Sequence, residues 1–415
     1  MNKILLASLL FFYGQKNLSG QNKEMDLYGT DEDQFTSIPP PPQFSSGLRT
    51  ASFSIVFNSY TPDAQAAFQY AADIWGSVLI SEVPIKVNTY FTALLPGLLG
   101  ITLPNGIKNF QNAPVNDVWY ASCLANALSG TELNAGENDF DLYLNSSTNW
   151  YFGTDGNCPA GKYDFVTTSL HEICHGLGFL GLANGENNLG SFGLITAADF
   201  FPIVTSFPFP DLEGKPGIFD EFLYNQSDEQ LTDTVLFPNH SAQLYDEFTG
   251  NFVSFSGTNA VNNNGGNEPV IYTPSSFSLG SSMVHLDEIT YPAGNINDLM
   301  TPFAGTAEVT HDPGPVAVGV LKDMGWNVNY NVGINDPDVT NETFIVFPNP
   351  VINTFTIAGL QGDVDALELS DLAGRKVIGQ IHPEFPYEVS GLQPGLYLLR
   401  VKNSKKVFTS KIQKQ

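Results

Sequence analysis

The sequence predicts an α+β fold in two parts, a larger mixed part followed by a smaller all-β part. Three observations carry this. Ala51–Asn58 (ASFSIVFN), Ile85-Val87-Thr89 and Asn138–Asn145 (NDFDLYLN) alternate apolar and polar residues as half-buried strands do. Phe165–Leu170 (FVTTSL) runs apolar and β-branched into HEICHGLGF, the pattern of a buried helix. From residue 342 onward, short alternating runs are separated by Gly, Pro, Asn and Asp, with no helical period. A chain of 415 residues with 42% hydrophobic content has material for one to three domains and a sizeable core.

The elements follow in order. Residues 1–20 read as a signal peptide: a basic start at Lys3, an apolar run from Ile4 to Tyr13 too short to span a bilayer, and small residues at Leu18-Ser19-Gly20. Residues 21–46 are acidic and proline-rich (Pro39 to Pro42), as in a linker or short pro-segment. After the strand at Ala51–Asn58, Thr61-Pro62-Asp63 opens a helix running to about Leu79. Asp164 is placed to cap the helix that carries HEICH, and Gly178 to end it. Residues 182–280, rich in Asn, Gly and Ser, form an insert. Val316–Met324 is a short helix with His311 or Asp312 at its start. The first folded part is thus 47–330, joined by a linker at 331–341 to 342–415. There, strands are expected at Phe344–Phe347, Thr354–Ala358, Leu367–Leu372, Tyr387–Val389, Leu396–Val401 and Val407–Ile412. A hairpin turn is expected at Asp371-Leu372-Ala373-Gly374, and together these make a small sandwich. Leu94–Pro104 (LLPGLLGITLP) is apolar but broken by Pro and Gly, so no transmembrane segment is expected.

The chemistry concentrates in His171-Glu172-Ile173-Cys174-His175. On a helix, positions i and i+4 share a face, so His171 and His175 can present two imidazoles to one metal ion. Glu172 sits one step round, where its carboxylate can act as base toward a water beside the metal. Two ligands are too few, because a catalytic zinc takes three protein ligands and keeps an open position. Six His limit the search: His382 lies in the all-β part and is set aside, leaving His240, His285 and His311 as candidates, with Gly181 where a third His six residues after His175 would stand.

HEICHGLGF, a distant His285 and Asn297–Pro302 (NDLMTP) resemble the leishmanolysin-type metzincins. The resemblance covers about Asp164 to Trp326. It implies a metzincin-like zinc peptidase domain: a mixed sheet, an active-site helix and an irregular C-terminal subdomain. It also implies His285 as third ligand, shortly before a Met-turn that sets Met300 beneath the ligands. By the same resemblance, Asn138–Asn145 is the sheet-edge strand that binds extended substrate. The chain departs from the pattern in having three Cys rather than many, and Phe303 where a Tyr would follow the Met-turn; Tyr291 is a weak substitute. Residues 342–415, with FPNP, DLAGR and SGLQPGLYLLRV, resemble the C-terminal sorting domain (type A) of type IX secretion substrates. This implies an immunoglobulin-like sandwich, partnership with that secretion machinery, and export across both membranes of a Bacteroidetes-type bacterium to the surface or medium.

The formal net charge is −26, and the basic residues gather toward the C-terminus, from Arg400 to Lys414. So acidic a body excludes nucleic acid as a partner. Asp220-Glu221 offers a calcium site or a solvated helix face. Cys123 and Cys158 are able to pair in an oxidising compartment, and Cys174 reads as a buried thiol. The sequence therefore reads as an exported zinc metalloendopeptidase acting on protein or peptide substrates. Two rivals stand beside it: a surface adhesion or glycan-binding protein on a degenerate peptidase fold, and a purely structural zinc site.

Overall fold

The computed structural model describes residues 27–196, 211–250, 252–330, 345–358, 366–371, 375–381, 386–402 and 407–415. The expected signal peptide (1–20) and linker (331–341) lie outside the described residues. The chain forms two compact units, Met1–Asn331 and Val332–Gln415.

The first unit is mixed α+β. Its main elements are β1 (Leu27–Ile38), β2 (Phe53–Asn58), α1 (Pro62–Val78), β3 (Ile85–Thr92), β4 (Leu98–Pro104), α2 (Ser122–Ser129), β5 (Phe140–Asn145) and α3 (Phe165–Gly176). Then come β6 (Ala183–Glu186), β7 (Leu189–Phe192), α4 (Ala242–Phe248), α5 (Thr258–Asn263), β8 (Phe303–Thr310) and α6 (Pro315–Met324). Six strands make one sheet in the order β8-β1-β4-β5-β3-β2. Strands β2, β3 and β5 run parallel, β4 runs antiparallel to β5 and β1 antiparallel to β4, while β8 is parallel to β1.

Local sequence accounts for the helix starts. Thr61 accepts a hydrogen bond from the Ala64 N–H, and Pro62 takes the first helical position, where its missing N–H costs nothing. Asp164 accepts from the Thr167 N–H at 2.8 Å, as expected. All twelve residues of α3 are buried, and the indole of Trp75 on α1 donates to the Leu170 carbonyl at 3.0 Å. Phe165 anchors the first turn of α3 among Phe91, Trp150 and Phe152, with ring centroids 4.9–5.8 Å away. Phe165, fully buried, contributes roughly 2 kcal/mol. After α3, Gly178 turns the chain at φ 108° and the Trp326 indole donates to the Leu177 carbonyl.

Several expectations are corrected. Leu27–Ile38, within the expected linker or pro-segment, is strand β1 inside the sheet. Asn138–Asn145 is no edge: β5 pairs with β3 on one side and β4 on the other. The reason is that LLPGLLGITLP folds back as β4, whose every residue is buried. Neither His311 nor Asp312 caps α6. Gly314 is the N-cap, and Asn297 Oδ1 accepts from the Val316 N–H instead. Cys123 and Cys158 are unpaired: Cys123 faces the Gly176 carbonyl behind α3, and Cys158 faces the Lys162 carbonyl. Asp220 is no solvated face, being fully buried.

The second unit is all-β: β9 (Ile345–Phe347), β10 (Thr354–Ala358), β11 (Ala366–Asp371), β12 (Lys376–Ile381), β13 (Tyr387–Glu388), β14 (Gly395–Lys402) and β15 (Val407–Lys414). They form a three-stranded sheet, β9-β10-β13, and a four-stranded sheet, β12-β11-β14-β15, all antiparallel. Strand β12 is additional to those expected, since Gly379 and Gln380 interrupt its apolar alternation. Residues 372–374 of the expected hairpin turn lie outside the described residues, but Asp371 Oδ1 accepts from the Arg375 N–H across it.

Candidate metal centre

His171 and His175, one turn apart on α3, meet His285 from the loop after the insert. The three Nε2 atoms lie 3.0, 3.2 and 3.2 Å apart. No other His, Cys, Asp or Glu among the described residues joins this group or forms a second one. His240 is exposed on a loop, and His311 instead places Nε2 2.9 Å from Asp164 Oδ1, below the start of α3.

Each ring is held from behind by a main-chain carbonyl. His171 Nδ1 is 2.6 Å from Leu299 O, His175 Nδ1 is 2.7 Å from Phe179 O, and His285 Nδ1 is 2.9 Å from Ser281 O. A carbonyl only accepts, so each Nδ1 carries the proton and donates. Each Nε2 therefore presents a lone pair to the other two. Burial and the neighbouring rings hold His171 and His285 well below the usual imidazole range, and burial takes His175 down to about 4. Three neutral imidazoles with converging lone pairs repel one another unless a cation sits among them. At Zn–N distances of about 2.05 Å, tetrahedral geometry spaces nitrogens about 3.3 Å apart, close to the separations here. The donor set and the fixed tautomers thus fit a metal ion such as zinc.

Glu172 follows His171 on α3 and is 1% exposed. Thr102 on β4 donates to its Oε2 at 2.7 Å, while Oε1 is buried without a hydrogen-bond partner. Burial pushes its carboxyl up to about 8, with Thr102 opposing the shift. Gly100, two residues before Thr102 on the same strand face, makes room for it. A Cβ there would stand 2.7 Å from Glu172 Oε1. Along the sequence, Leu94–Pro104 reads only as an apolar run broken by Pro and Gly. The signal such a reading misses is a small residue at i and a hydroxyl at i+2, the spacing that puts both on one strand face.

Met300 is fully buried in the tight turn Asp298–Met300, whose Leu299 carbonyl orients His171. The same turn accepts the Leu286 N–H on the Met300 carbonyl, next to His285. Gly181 has a packing reason to lack a side chain: a Cβ there would lie 2.6 Å from Asp220 Oδ1 and 3.0 Å from the Met283 carbonyl. Asp220 in turn accepts from the Leu182 and Gly217 N–H groups, fixing the chain as it leaves the α3 turn. Tyr291 is buried, with its N–H given to the Asp287 carbonyl.

Comparison with known proteins adds two local matches. Residues 345–415 match the secretion system C-terminal sorting domain. Residues 129–196, which carry His171, Glu172 and His175, match the family model described as SPBPB7E8-like. No curated protein matches the chain. The sorting domain marks the chain as cargo of the type IX secretion machinery of Bacteroidetes. No described helix is long and apolar enough to cross a membrane.

Proposed function

We propose that this chain is an exported zinc metalloendopeptidase on a metzincin-like fold, followed in sequence by an immunoglobulin-like sorting sandwich. One observation carries the reading: three buried, neutral imidazoles converge through Nε2, and the residue that follows the first of them on α3, Glu172, is a buried carboxyl with one unpartnered oxygen. His171, His175 and His285 would hold the ion. Zinc in that position supplies Lewis acidity, polarising a scissile carbonyl and acidifying water.

The chain's own residues supply the rest. The Leu299, Phe179 and Ser281 carbonyls keep the three rings in the binding tautomer. Thr102 anchors Glu172 through Oε2 and leaves Oε1 to take a proton from the attacking water, then to deliver it to the leaving amine. Met300 and its turn floor the site. A structural zinc site would be closed by a fourth protein ligand, and it would leave Glu172 without a role. The adhesion reading leaves the same carboxyl unexplained.

The test is elemental analysis of the purified whole chain beside His285→Ala and Glu172→Gln, with an unfolded protein as substrate. About one zinc per chain is expected in the parent and in Glu172→Gln, with cleavage only in the parent. No zinc in a folded parent, or unchanged cleavage by Glu172→Gln, overturns the reading.

A further inference from the structure

A cavity opens where β1 and β8 lose register. From the pair Thr30–Gly305 to the pair Asp33–Thr306, β1 advances three residues while β8 advances one. Asp31 and Glu32 are the surplus residues, left out of the ladder and exposed. Gly305 lets this bulge lie close: a Cβ there would stand 2.4 Å from Gln34 Cγ and 2.8 Å from the Glu32 carbonyl oxygen. Asp31 and Glu32 line a cavity of about 520 Å³ together with Glu288, Phe303 and Glu308, and no member of the imidazole group lines it. Among the described residues, no Lys, Arg or His pairs with any of these four carboxyls. Glu308 is the most buried of them, 7% exposed. Its Oε2 accepts from the Gly305 N–H at 2.5 Å, and its Oε1 accepts no hydrogen bond. Glu288 Oε2 is buried without a partner as well. Burial pushes Glu308 up to about 7 and raises Glu288. Free carboxyl oxygens at such depth oppose folding until a cation meets them.

The spacing selects the kind of cation. Calcium gathers about six to eight oxygens at about 2.3–2.6 Å. Here no three of the carboxyls bring their oxygens within 4.8 Å of one another. The volume is that of a small organic ligand site, roughly 300–1,000 Å³. A guanidinium suits both facts. Its N–H donors fan out in a plane and reach separated carboxylates, and its face stacks on an aromatic ring. Phe303 supplies such a ring in the cavity wall. We infer that this cavity binds a guanidinium group, as carried by an arginine side chain: Glu308 and Glu288 accept its N–H groups, Phe303 stacks on its face, and the exposed Asp31 and Glu32 draw it in. The inference goes beyond the peptidase reading and stands without it.

The experiment is isothermal titration calorimetry of the purified whole chain at low salt. The probes are N-acetylarginine amide, its uncharged citrulline isostere, N-acetyllysine amide, a capped Ala-Arg-Ala peptide and calcium alone. Arginine amide should bind at least about tenfold more tightly than the citrulline isostere, and more tightly than lysine amide. Glu308→Gln should weaken it at least about tenfold. Glu32→Gln, at an exposed position that leaves the core untouched, should weaken it about two- to threefold. Glu137→Gln, an exposed carboxyl on the loop before β5, should change nothing and so controls for the acidity of the chain as a whole. Tighter binding of the tripeptide than of arginine amide supports the site and assigns its ligand to polypeptides; the reverse order supports it and assigns the ligand to free guanidinium compounds. Equal binding of the citrulline or lysine probe overturns the inference. So does arginine binding that is unchanged in both Glu308→Gln and Glu32→Gln, or that falls equally in Glu137→Gln. Calcium binding that is lost in Glu308→Gln gives the cavity to a metal ion and overturns it too.

Discussion

The two units bury different things. The first encloses His171, Glu172, His175, His285, Asp164, His311, Asp220, Asp298 and Glu308, all 7% exposed or less. The second has a core of aliphatic and aromatic residues, Val346, Val351, Phe355, Leu367, Leu369, Tyr387, Val389, Tyr397, Leu399, Val401 and Ile412. Among its described residues only Lys414 is a buried charged side chain. Burying an ionisable group opposes folding unless its hydrogen bonds are met or it stays neutral. The first unit pairs Asp164 with His311 and carries the cost at several other places, the imidazole group and Glu172 among them. The second serves a recognition role, for which pattern and surface suffice.

The sharpest way to break this contrast is to remove one imidazole. His175→Ala should weaken zinc binding on the order of 10³-fold, about a third of the free energy of a structural-strength site, read by competition with a chromogenic chelator. Unchanged affinity would mean the three rings are not a ligand set. Next, Glu172→Gln should keep zinc and lose about 10³-fold in kcat.

In the second unit, Leu399→Ala removes a fully buried side chain between β11 and β15. It should cost about 3 kcal/mol in that unit's own melting and reduce export, leaving zinc content untouched. Thr102→Val should lower kcat about tenfold with little change in KM, and Thr102→Ser should restore it, since only the hydroxyl is at issue.

The smallest effect concerns pH. Asp298 is pushed up to about 8, first by burial and then by Glu308, itself raised to about 7. The folded chain therefore keeps a proton that the unfolded chain loses near pH 4. That contribution is complete below pH 4 and is lost as pH rises through 8. Asp298→Asn should raise the melting temperature at pH 8 by a few degrees, about 1 kcal/mol, and by less at pH 5. The gain is modest because Glu308 then releases its own proton more readily. Equal gains at both pH values would show that Asp298 is ionised in the fold.

Much of the local structure could be read along the chain. The caps at Thr61 and Asp164 depend on residues three apart, and the His171–His175 pair on one helical turn. The C-terminal strands depend on alternation within a few residues. These are short-range effects, so the sequence determined them alone, together with the acidic balance and the export signature. It also narrowed the third imidazole to His240, His285 or His311 and went no further without a resemblance. The tertiary structure decided what long-range pairing decides. It brought His285 to α3 and sent His311 to Asp164. It turned Leu98–Pro104 into the strand behind Glu172 and moved Asn138–Asn145 to the sheet interior. It drew Leu27–Ile38 from an apparent linker into the sheet. A polar, acidic segment shows no period that announces a strand. Its main-chain N–H and C=O groups found partners only because β4 and β8 left a gap of one strand's width between them.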